Sequence, residues 1–392
     1  MIRVFVIAGE LSGDRLGANF MEGMHTLTGG DVAFDGIGGP RMEAQGLRSL
    51  FPMSEINVMG VAEILSQYRA LKRRIHETAQ AVIDAQPDVL VTVDLPEFSL
   101  RVAQLVKARS NIRCVHYVAP TVWAWRPGRA QKMARHIDQV LALLPFEPPY
   151  MEAAGMRCDF VGHPVVMDPQ ASPGEVRDFR DVHGIGEAPV LLMLPGSRRS
   201  EVGRLLPVFA RVAERMQAAR PDLRLVVPAA ASVEEEVSRA VAEWPGRPIV
   251  VHPGGSEAAV TEKRAAFGAA DVALAASGTV SLELAAANTP MVIAYDMSWL
   301  SRQIIGRMLR TDTVTLVNLV SDTRIVPEFI GPACRPEPIA AALDRLLEAP
   351  EGQRDAMALT MQRLGRGGEA PGIRAARAVL DGLRQAGLKP TP

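Results

Sequence analysis

Hydrophobic positions along the chain form short apolar runs, each followed by a glycine- or proline-containing loop and then by a helical pattern. The clearest runs cover residues 2–8, 32–37, 89–93, 112–118, 140–144, 190–194, 223–228, 249–252, 272–276 and 290–294. Short continuous apolar runs of this kind are typical of strands buried on both faces. Because helical segments alternate with them, the pattern predicts an α/β protein built on parallel sheets.

The run at 272–276 leads into the loop Ser277-Gly278-Thr279 and then into a helical pattern that carries Glu283. Gly278 lets the backbone approach a ligand closely, and the N–H groups at a helix start favour a phosphate. Glu283 is placed to accept hydrogen bonds from ribose hydroxyls, as an acidic residue does in dinucleotide folds. These residues predict a nucleoside diphosphate site. An ordinary capped βα unit, with Ser277 or Thr279 as the N-cap, is the alternative.

A similar loop follows the run at 190–194 and contains Gly196, Ser197 and Arg198. A guanidinium group beside a helix start suits a pyrophosphate leaving group, because it binds phosphate oxygens and meets developing negative charge. Arg198 is therefore the predicted contact to the leaving group.

Carboxylates follow two strands of the first half. The first run ends in a loop with Glu10, Ser12 and Asp14, whose acidic residues make it a poor phosphate cradle but could hold sugar hydroxyls; ordinary turn chemistry is the alternative. Asp94 directly follows the run at 89–93. Since the carboxyl edge of a parallel sheet faces the ligand crevice, Asp94 is the predicted general base, with N-capping of the next helix as the alternative.

Two of the four tryptophans, Trp123 and Trp125, lie beside Arg126 and Arg129 where a strand should give way to a helix. Aromatic rings stack on sugars or lie at membrane interfaces, and arginine binds phosphate. The segment predicts contact with a sugar phosphate or a membrane, and core packing of Trp123 is the alternative. The apolar stripe with arginine flanks at 299–310 suits either an interfacial helix or a core helix.

Composition limits the remaining possibilities. A chain of 392 residues with 48% hydrophobic content can form two domains, and a net charge of −1 offers no overall attraction to nucleic acid. The three cysteines lie far apart and form neither a disulfide framework nor a zinc motif. No apolar run approaches the length of a membrane span.

Several short motifs occur in order along the chain. They are AGELSGD from Ala8, GIGGPRM from Gly36, VMG from Val58, DLPEF from Asp94, HYVAPTVWAWRPGR from His116, LPFE from Leu144, FVGHP from Phe160, LPGSRRSE from Leu194, ASGTVSLE from Ala276, PMVIAY from Pro290 and NLV from Asn318. As a set, from the first strand to about Glu328, they resemble the lipid-A-disaccharide synthase family. Glu97 and Ser99 depart from the family pattern after Asp94.

The resemblance implies an inverting glycosyltransferase of the GT-B fold, with two Rossmann-like parallel-sheet domains facing a cleft. It implies an acceptor-binding domain in the first half and a UDP-sugar-binding domain in the second. Proline, aspartate and glycine residues and the loss of strand character place a linker at 166–188, so the domains cover 1–165 and 189–360, with C-terminal helices at 361–392 that could cross back to the first domain. The implied reaction joins UDP-2,3-diacylglucosamine to 2,3-diacylglucosamine 1-phosphate (lipid X). Its products are the β-1,6-linked lipid A disaccharide 1-phosphate and UDP.

The resemblance also implies roles for individual residues. The UDP site would contain Gly196, Ser197, Arg198, Ser277, Gly278, Thr279, Glu283 and Asn318, and the acceptor or lipid site Ser12, Asp14, Trp123, Trp125, Arg126 and Arg129. Asp94 would take the proton from the acceptor 6-hydroxyl, with Glu10 or Asp14 left open as the base. Arg198 would meet the charge on departing UDP.

No cofactor or metal is expected, because Arg198 and helix N-termini would meet the charge on UDP, and the chain has no DxD-type metal motif to contradict this. The expected partners are the two lipid substrates and the inner face of the cytoplasmic membrane of a Gram-negative cell. The protein is accordingly expected to be cytoplasmic and peripheral on that membrane, with a homodimer left open.

Two other functions fit part of the pattern. A UDP-N-acetylglucosamine 2-epimerase would share the donor loop but needs no lipid surface, and the WAWRPGR segment and the GELSGD loop argue against it. A non-catalytic nucleotide-sugar sensor or membrane scaffold would keep the donor loop without a base, which Asp94 disfavours.

Overall fold

The computed structural model describes residues 1–57, 61–126, 128–297 and 311–387, without the side chains of 61–67. They form two compact units. The first contains residues 1–164 and the described residues from Gly367 onward, and the second contains Val165–Arg366. Each unit is a parallel sheet with helices between its strands, which confirms the predicted fold class.

The sheet of the first unit has the strand order β3-β2-β1-β4-β5-β6-β7. Its strands are β1 (Ile2–Ala8), β2 (Val32–Ile37), β3 (Arg48–Ser49), β4 (Val89–Val93), β5 (Arg113–Tyr117), β6 (Gln139–Ala142) and β7 (Arg157–Phe160). The helices that follow them are α1 (Leu11–Thr28), α2 (Pro40–Glu43), α3 (Val61–Ala85), α4 (Pro96–Lys107), α5 (Gly128–Met133) and α6 (Pro148–Glu152). The chain proceeds outward in opposite directions from β1 and β4, so the order of the strands reverses between these two.

The sheet of the second unit has the order β10-β9-β8-β11-β12-β13. Its strands are β8 (Val190–Leu194), β9 (Arg224–Pro228), β10 (Ile249–Val251), β11 (Val272–Ala276), β12 (Met291–Tyr295) and β13 (Glu328–Ile330). Its described helices are α7 (Pro173–Val182), α8 (Arg199–Ala219), α9 (Glu234–Val241), α10 (Glu257–Ala269), α11 (Val280–Ala286), α12 (Leu316–Ser321), α13 (Pro336–Glu348) and α14 (Glu351–Arg363). Here the strand order reverses between β8 and β11.

The segment predicted as a linker, 166–188, lies in the second unit and contains α7. Ser172 and Glu175 form a capping box at the start of this helix, which satisfies backbone N–H groups that would otherwise lack partners. Glu175 also pairs with Arg264 of α10. This part of the chain is therefore ordered by local capping and by packing on the second unit.

The cores lie on both faces of each sheet, because successive residues of a strand point to opposite faces. In β1, Val6 packs in one cluster with Phe20 of α1, whereas Phe5 packs in another with Val102 of α4. All five residues of β4, β8 and β11 are buried. Continuous apolar runs rather than alternating ones follow from this double coverage.

The last described helix, α15 (Pro371–Gln385), belongs to the first unit and packs on α1. Glycines allow the two backbones to touch: a Cβ atom on Gly372 would lie 2.3 Å from the carbonyl oxygen of Asn19. A side chain at Gly23 would meet the backbone of Gly372 at 2.5 Å. Gln139 of β6 also donates a hydrogen bond to the Ala378 carbonyl at 2.9 Å. Helix α15 thus covers the face of the sheet that carries Val6.

Candidate functional site

A cavity of about 700 Å³ lies at the carboxyl ends of four neighbouring strands of the second unit. The strands contribute Leu194, Pro228, Val251 and Ala276 to its lining. Helix α10 supplies one wall through Ala259, Val260, Lys263 and Phe267. The cavity adjoins the point between β8 and β11 where the strand order reverses, which is where open parallel sheets bind ligands.

The loop after β8 brings Gly196, Ser197 and Arg198 to this cavity, as predicted. Arg198 is the N-cap residue of α8, and its Nη1 donates to Oε1 of Glu201 at 3.1 Å. The other carboxylate oxygen of Glu201 accepts from the Ser197 backbone at 3.4 Å. Gly196 has a φ of +115°, and its Cβ position would lie only 3.0 Å from Glu201. A glycine is required there because the backbone is left-handed and passes close to that carboxylate.

Glu201 lines the cavity but was not singled out in the sequence. Its side chain is only 13% exposed, whereas that of Arg198 is 71% exposed. The helix dipole favours an acidic residue in the first turn of a helix, and this signal could have identified it. Glu201 therefore holds the loop and one side of the guanidinium, which leaves the rest of Arg198 facing solvent.

The loop after β11 brings Ser277, Gly278 and Thr279 to the same cavity. Thr279 is the N-cap residue of α11, but no side-chain hydrogen bond caps this helix. Instead, the hydroxyl of Ser281 donates to the Gly278 carbonyl at 2.9 Å. Neither predicted capping hydroxyl therefore caps this helix.

Glu283 also lines the cavity, where its Oε2 lies 2.9 Å from Nζ of Lys263. The Lys263 ammonium lies 5.3 Å from the ring centre of Phe267, one helical turn further along α10. Sequence reasoning missed both residues of α10. Their four-residue spacing places them on one helix face, but a Lys and a Phe four residues apart occur on many surface helices.

Asn318 does not lie in the lining of this cavity, which differs from its predicted position on the nucleotide. Its side chain is buried and its amide nitrogen donates to the Val326 carbonyl at 3.0 Å and to Thr313 at 3.2 Å. Its amide oxygen accepts from the Val326 backbone at 3.0 Å. Buried amides need such partners, so Asn318 joins α12 to the segment before β13.

In the first unit, Asp94 lies at the carboxyl end of β4, beside the reversal point between β1 and β4. Both Asp94 and Leu95 have left-handed backbones, with φ values of +50° and +49°. Two consecutive non-glycine residues in this region are strained, and such strain concentrates at functional sites. The N-cap of α4 is Leu95, and no side chain caps this helix. The Asp94 carboxylate is therefore not used as an N-cap.

The electrostatic environment of Asp94 favours a base. Burial raises the pKa of the Asp94 carboxyl above its ordinary value, and a hydrogen bond from the Leu95 backbone opposes that shift in part. A raised pKa makes a carboxylate a stronger base than a fully solvated aspartate. The residue is half-buried, so a hydroxyl group can still reach it.

The loop after β1 touches the loop that carries Asp94, since a Cβ atom on Gly9 would lie 2.3 Å from the Leu95 side chain. Glu10 is half-buried at the start of α1, and Ser12 is exposed in its first turn. The predicted carboxylates Glu10 and Asp94 thus lie on adjoining loops.

Asp14 has a different environment from its predicted place among acceptor ligands. Its carboxylate is 1% exposed and accepts three backbone hydrogen bonds at the start of α2, from Gly39 at 2.8 Å, Arg41 at 3.0 Å and Met42 at 3.1 Å. A carboxylate at a helix N-terminus is stabilised by these N–H groups and by the helix dipole. Asp14 therefore positions the loop before α2 against α1.

The two tryptophans have different surroundings. Trp123 packs edge-on against Phe146, with 5.2 Å between ring centres, and its indole lies against the buried Glu147. Burial raises the pKa of Glu147 to about 7, although a hydrogen bond from the Leu144 backbone at 3.0 Å favours its ionised form. These contacts agree with the packing interpretation of Trp123.

Trp125 is half-buried: its indole N–H donates to Thr121 at 3.0 Å, and the Arg126 guanidinium stacks over its ring at 4.5 Å. Arg126 is exposed and Arg129 is half-buried at the start of α5. The predicted aromatic and basic contact surface therefore contains Trp125 and Arg126.

Three predicted features lie outside the described residues: the VMG motif from Val58, Pro127 of the WAWRPGR segment, and the stripe at 299–310 with Trp299. Within the described ranges, no group of three or more His, Cys, Asp or Glu side chains is arranged to hold a metal ion. No described helix is both long enough and apolar enough to cross a membrane.

Comparison with known proteins places the chain among close relatives. The family model described as "Lipid-A-disaccharide synthetase" matches residues 4–373. A protein of Ruegeria pomeroyi named lipid-A-disaccharide synthase is 62% identical, and the match covers 98% of this chain and 96% of that protein. One of the same name from Rhodospirillum centenum is 47% identical, with 96% and 94% coverage.

Solved structures resemble the chain at much lower identity. The S. aureus MnaA–UDP co-structure has a TM-score of 0.65 at 12% identity, covering 100% of this chain and 98% of that one. UDP-GlcNAc 2-epimerase from Neisseria meningitidis bound to UDP-GlcNAc has a TM-score of 0.62 at 10% identity, with 98% and 100% coverage. Such likeness at low identity concerns the fold alone.

Proposed function

The chain belongs to the lipid-A-disaccharide synthase family, which condenses UDP-diacylglucosamine with lipid X in lipid A biosynthesis, and on this basis we propose how its residues divide the reaction. The protein is a glycosyltransferase with the two parallel-sheet domains of the GT-B class. In the proposal, the second unit binds the UDP part of the donor and the first unit binds lipid X.

The single observation that carries the donor assignment is the convergence of two glycine loops and Glu283 on one cavity at the reversal point of the second sheet. The diphosphate would lie against the loops of Gly196 and Gly278. The start of the long helix α8 adds N–H groups that favour an anion. Glu283 would accept hydrogen bonds from the ribose hydroxyls.

In the first unit, Asp94 would act as the general base, with Glu10 on the adjoining loop as the alternative. The carboxylate takes the proton of the acceptor 6-hydroxyl as that oxygen forms a bond to the anomeric carbon of the donor. The bond from this carbon to the UDP oxygen breaks on the opposite face, and its electron pair leaves with UDP. One in-line displacement inverts the anomeric centre. Arg198 would meet the charge that develops on UDP.

Release of UDP tests the proposal. Purified protein would be given UDP-2,3-diacylglucosamine in detergent micelles, with and without lipid X, and both UDP and disaccharide would be measured. Release that depends on lipid X and yields the disaccharide is the expected result. Release without acceptor would indicate an epimerase or a hydrolase instead, and no release at all would indicate a sensor. The expectation that no metal or cofactor is needed predicts equal rates in excess EDTA.

We also propose that the protein acts at the inner face of the membrane through a basic surface around α5. Arg126, Arg129, Lys132 and Arg135 recur every third residue, and residues 126–137 contain no acidic side chain. Arg126, Lys132 and Arg135 are exposed, and the Arg126 guanidinium stacks over the ring of Trp125. A basic surface beside an aromatic ring suits anionic lipid headgroups.

The triple variant Arg126→Gln, Lys132→Gln, Arg135→Gln is expected to bind anionic vesicles about 100-fold more weakly, since each surface cation contributes about 1 kcal/mol. Sedimentation with phosphatidylglycerol vesicles measures the loss, and zwitterionic vesicles should show little binding of either protein. Arg211→Gln, Arg239→Gln, Arg247→Gln removes the same charge from exposed positions of the second unit and serves as the control. Equal losses in both triple variants would contradict a specific surface at α5.

A further inference from the structure

The charges that line the cavity of the second unit cancel. Apart from His252, its charged side chains are two cations, Arg198 and Lys263, and two carboxylates, Glu201 and Glu283. Each cation is paired with one of these carboxylates, Arg198 at 3.1 Å and Lys263 at 2.9 Å. A nucleoside diphosphate brings at least two further negative charges, and a cation released from its carboxylate compensates them better than a paired one.

The ion pair between Lys263 and Glu283 can be broken at little cost in free energy. The side chains are 52% and 40% exposed, and an exposed pair of this kind contributes only about 0–1 kcal/mol. A charge-assisted hydrogen bond to phosphate is stronger than a neutral one, and a lysine ammonium on its flexible stem can turn toward a new partner.

The position of the pair indicates which phosphate the Lys263 ammonium could reach. Lys263 lies on the α10 wall, and Glu283 lies on α11, directly after the loop Ser277-Gly278-Thr279. The ammonium also lies 5.3 Å from the ring centre of Phe267, which supports the stem within the cavity. A phosphate against the loop at Gly278 would therefore lie close to both members of the pair.

We infer that Lys263 is a second phosphate-binding cation of the donor site and that it exchanges partners when a nucleoside diphosphate binds. Its ammonium turns from Glu283 to the diphosphate, and the carboxylate of Glu283 becomes available to the ribose hydroxyls. Only hydrogen bonds and ion pairs change, and no covalent bond forms or breaks. The inference rests on the proposed donor site and adds a charged residue to it.

The fold of α10 does not depend on this ammonium. Its packing face consists of Ala265, Ala266, Phe267 and Ala269, all buried. Lys263→Met keeps an unbranched apolar stem of similar reach and removes only the charge. The variant is therefore expected to fold normally, so that changes in ligand binding report on the charge.

Binding of UDP and of uridine separates the two roles of the pair. Lys263→Met is expected to weaken UDP binding by 5- to 30-fold and to change uridine binding by less than twofold, because uridine has no diphosphate. Glu283→Gln should weaken uridine binding and preserve or increase the ratio of UDP affinity to uridine affinity. Calorimetry measures UDP binding, and ligand-observed NMR measures uridine. Arg239→Met is the matched control, since it removes a cation from an exposed pair with Glu235 outside the cavity.

Each other outcome overturns the inference in a distinguishable way. Equal losses for UDP and uridine in Lys263→Met would mean that the lysine only holds Glu283 in place. Unchanged UDP binding in that variant would mean that it contacts no phosphate. If the unmodified protein bound no UDP, both the proposed donor site and this inference would be wrong. If the unmodified protein and Lys263→Met bound UDP equally well, only the role of Lys263 would be wrong.

Discussion

Replacement of Asp94 by asparagine is expected to lower kcat by about three orders of magnitude, within the range that general-base catalysis supplies. Asparagine keeps the size and polarity of the side chain but cannot accept the proton of the acceptor hydroxyl. UDP binding should be unchanged, because the proposed donor cavity contains only residues of the second unit.

The same substitution should leave the fold as stable as before, or slightly more stable, at neutral pH. Burial raises the pKa of Asp94, so folding favours the protonated carboxyl, and the stability this gives is lost as pH rises through the folded-state value. Asparagine resembles the protonated form at every pH. Unchanged or improved thermal stability together with lost turnover would separate a catalytic role from a structural one.

The pH dependence of turnover gives an independent check. Asp94 acts as a base only when ionised, so kcat should rise with pH through its pKa, which lies above the ordinary aspartate value. Glu97→Gln is the matched control, since this carboxylate is exposed in the first turn of α4 and faces Arg101 at 3.6 Å. The control should keep both rate and profile. Near-normal turnover in Asp94→Asn, with lost turnover in Glu10→Gln, would move the base to the neighbouring loop.

Replacement of Arg198 by methionine should lower kcat by about 100- to 1000-fold, the loss typical of removing one group that stabilises developing negative charge. Negative charge on the UDP oxygen increases as its bond to the sugar breaks, so the effect should fall on kcat more than on KM. The contrast with Lys263→Met is direct, because that variant should raise the KM for the donor and leave kcat nearly unchanged.

The neighbouring Arg199 provides the control for this prediction. It is exposed in the first turn of α8 and does not line the cavity, so Arg199→Met removes the same charge one residue away. Steady-state kinetics with both substrates would compare the two variants. Equal losses of kcat in Arg198→Met and Arg199→Met would mean that Arg198 contributes only general positive charge near the cavity. An unchanged kcat in Arg198→Met would mean that Arg198 does not contact the leaving group.

Five strands could be predicted from the sequence to the residue, and the bounds of β5, β6, β9 and β12 differ from the predicted runs by one or two residues. The runs at 2–8, 32–37, 89–93, 190–194 and 272–276 coincide with β1, β2, β4, β8 and β11. Burial on both faces gives such strands an unbroken apolar signal. By contrast, β3 has two residues and β13 has three, and both are edge strands too short to give an apolar pattern of their own. Their pairing is decided by a neighbouring strand rather than by their own sequence.

Motifs identified the polar residues of interest but not the direction of each side chain. Asp14 and Asn318 are both buried, and their partners lie elsewhere in the chain, at 39–42 and at 313 and 326. Local sequence cannot distinguish a carboxylate that binds a ligand from one that holds a distant loop. The sequence likewise contains no signal for the ion pair between Lys263 and Glu283, because the two residues lie on helices α10 and α11, which β11 separates along the chain.

The return of α15 to the first unit affects the order in which the chain can fold during its synthesis. Helix α15 begins about 210 residues after β7 ends at Phe160, which a ribosome covers in roughly 10–40 s. During that interval Val6 and Phe20 lack the cover that Val379 later provides. The second unit, Val165–Arg366, is complete before α15 is made. The half of the protein that is made first is therefore finished last, and its uncovered apolar face is the part of the nascent chain that most needs a chaperone.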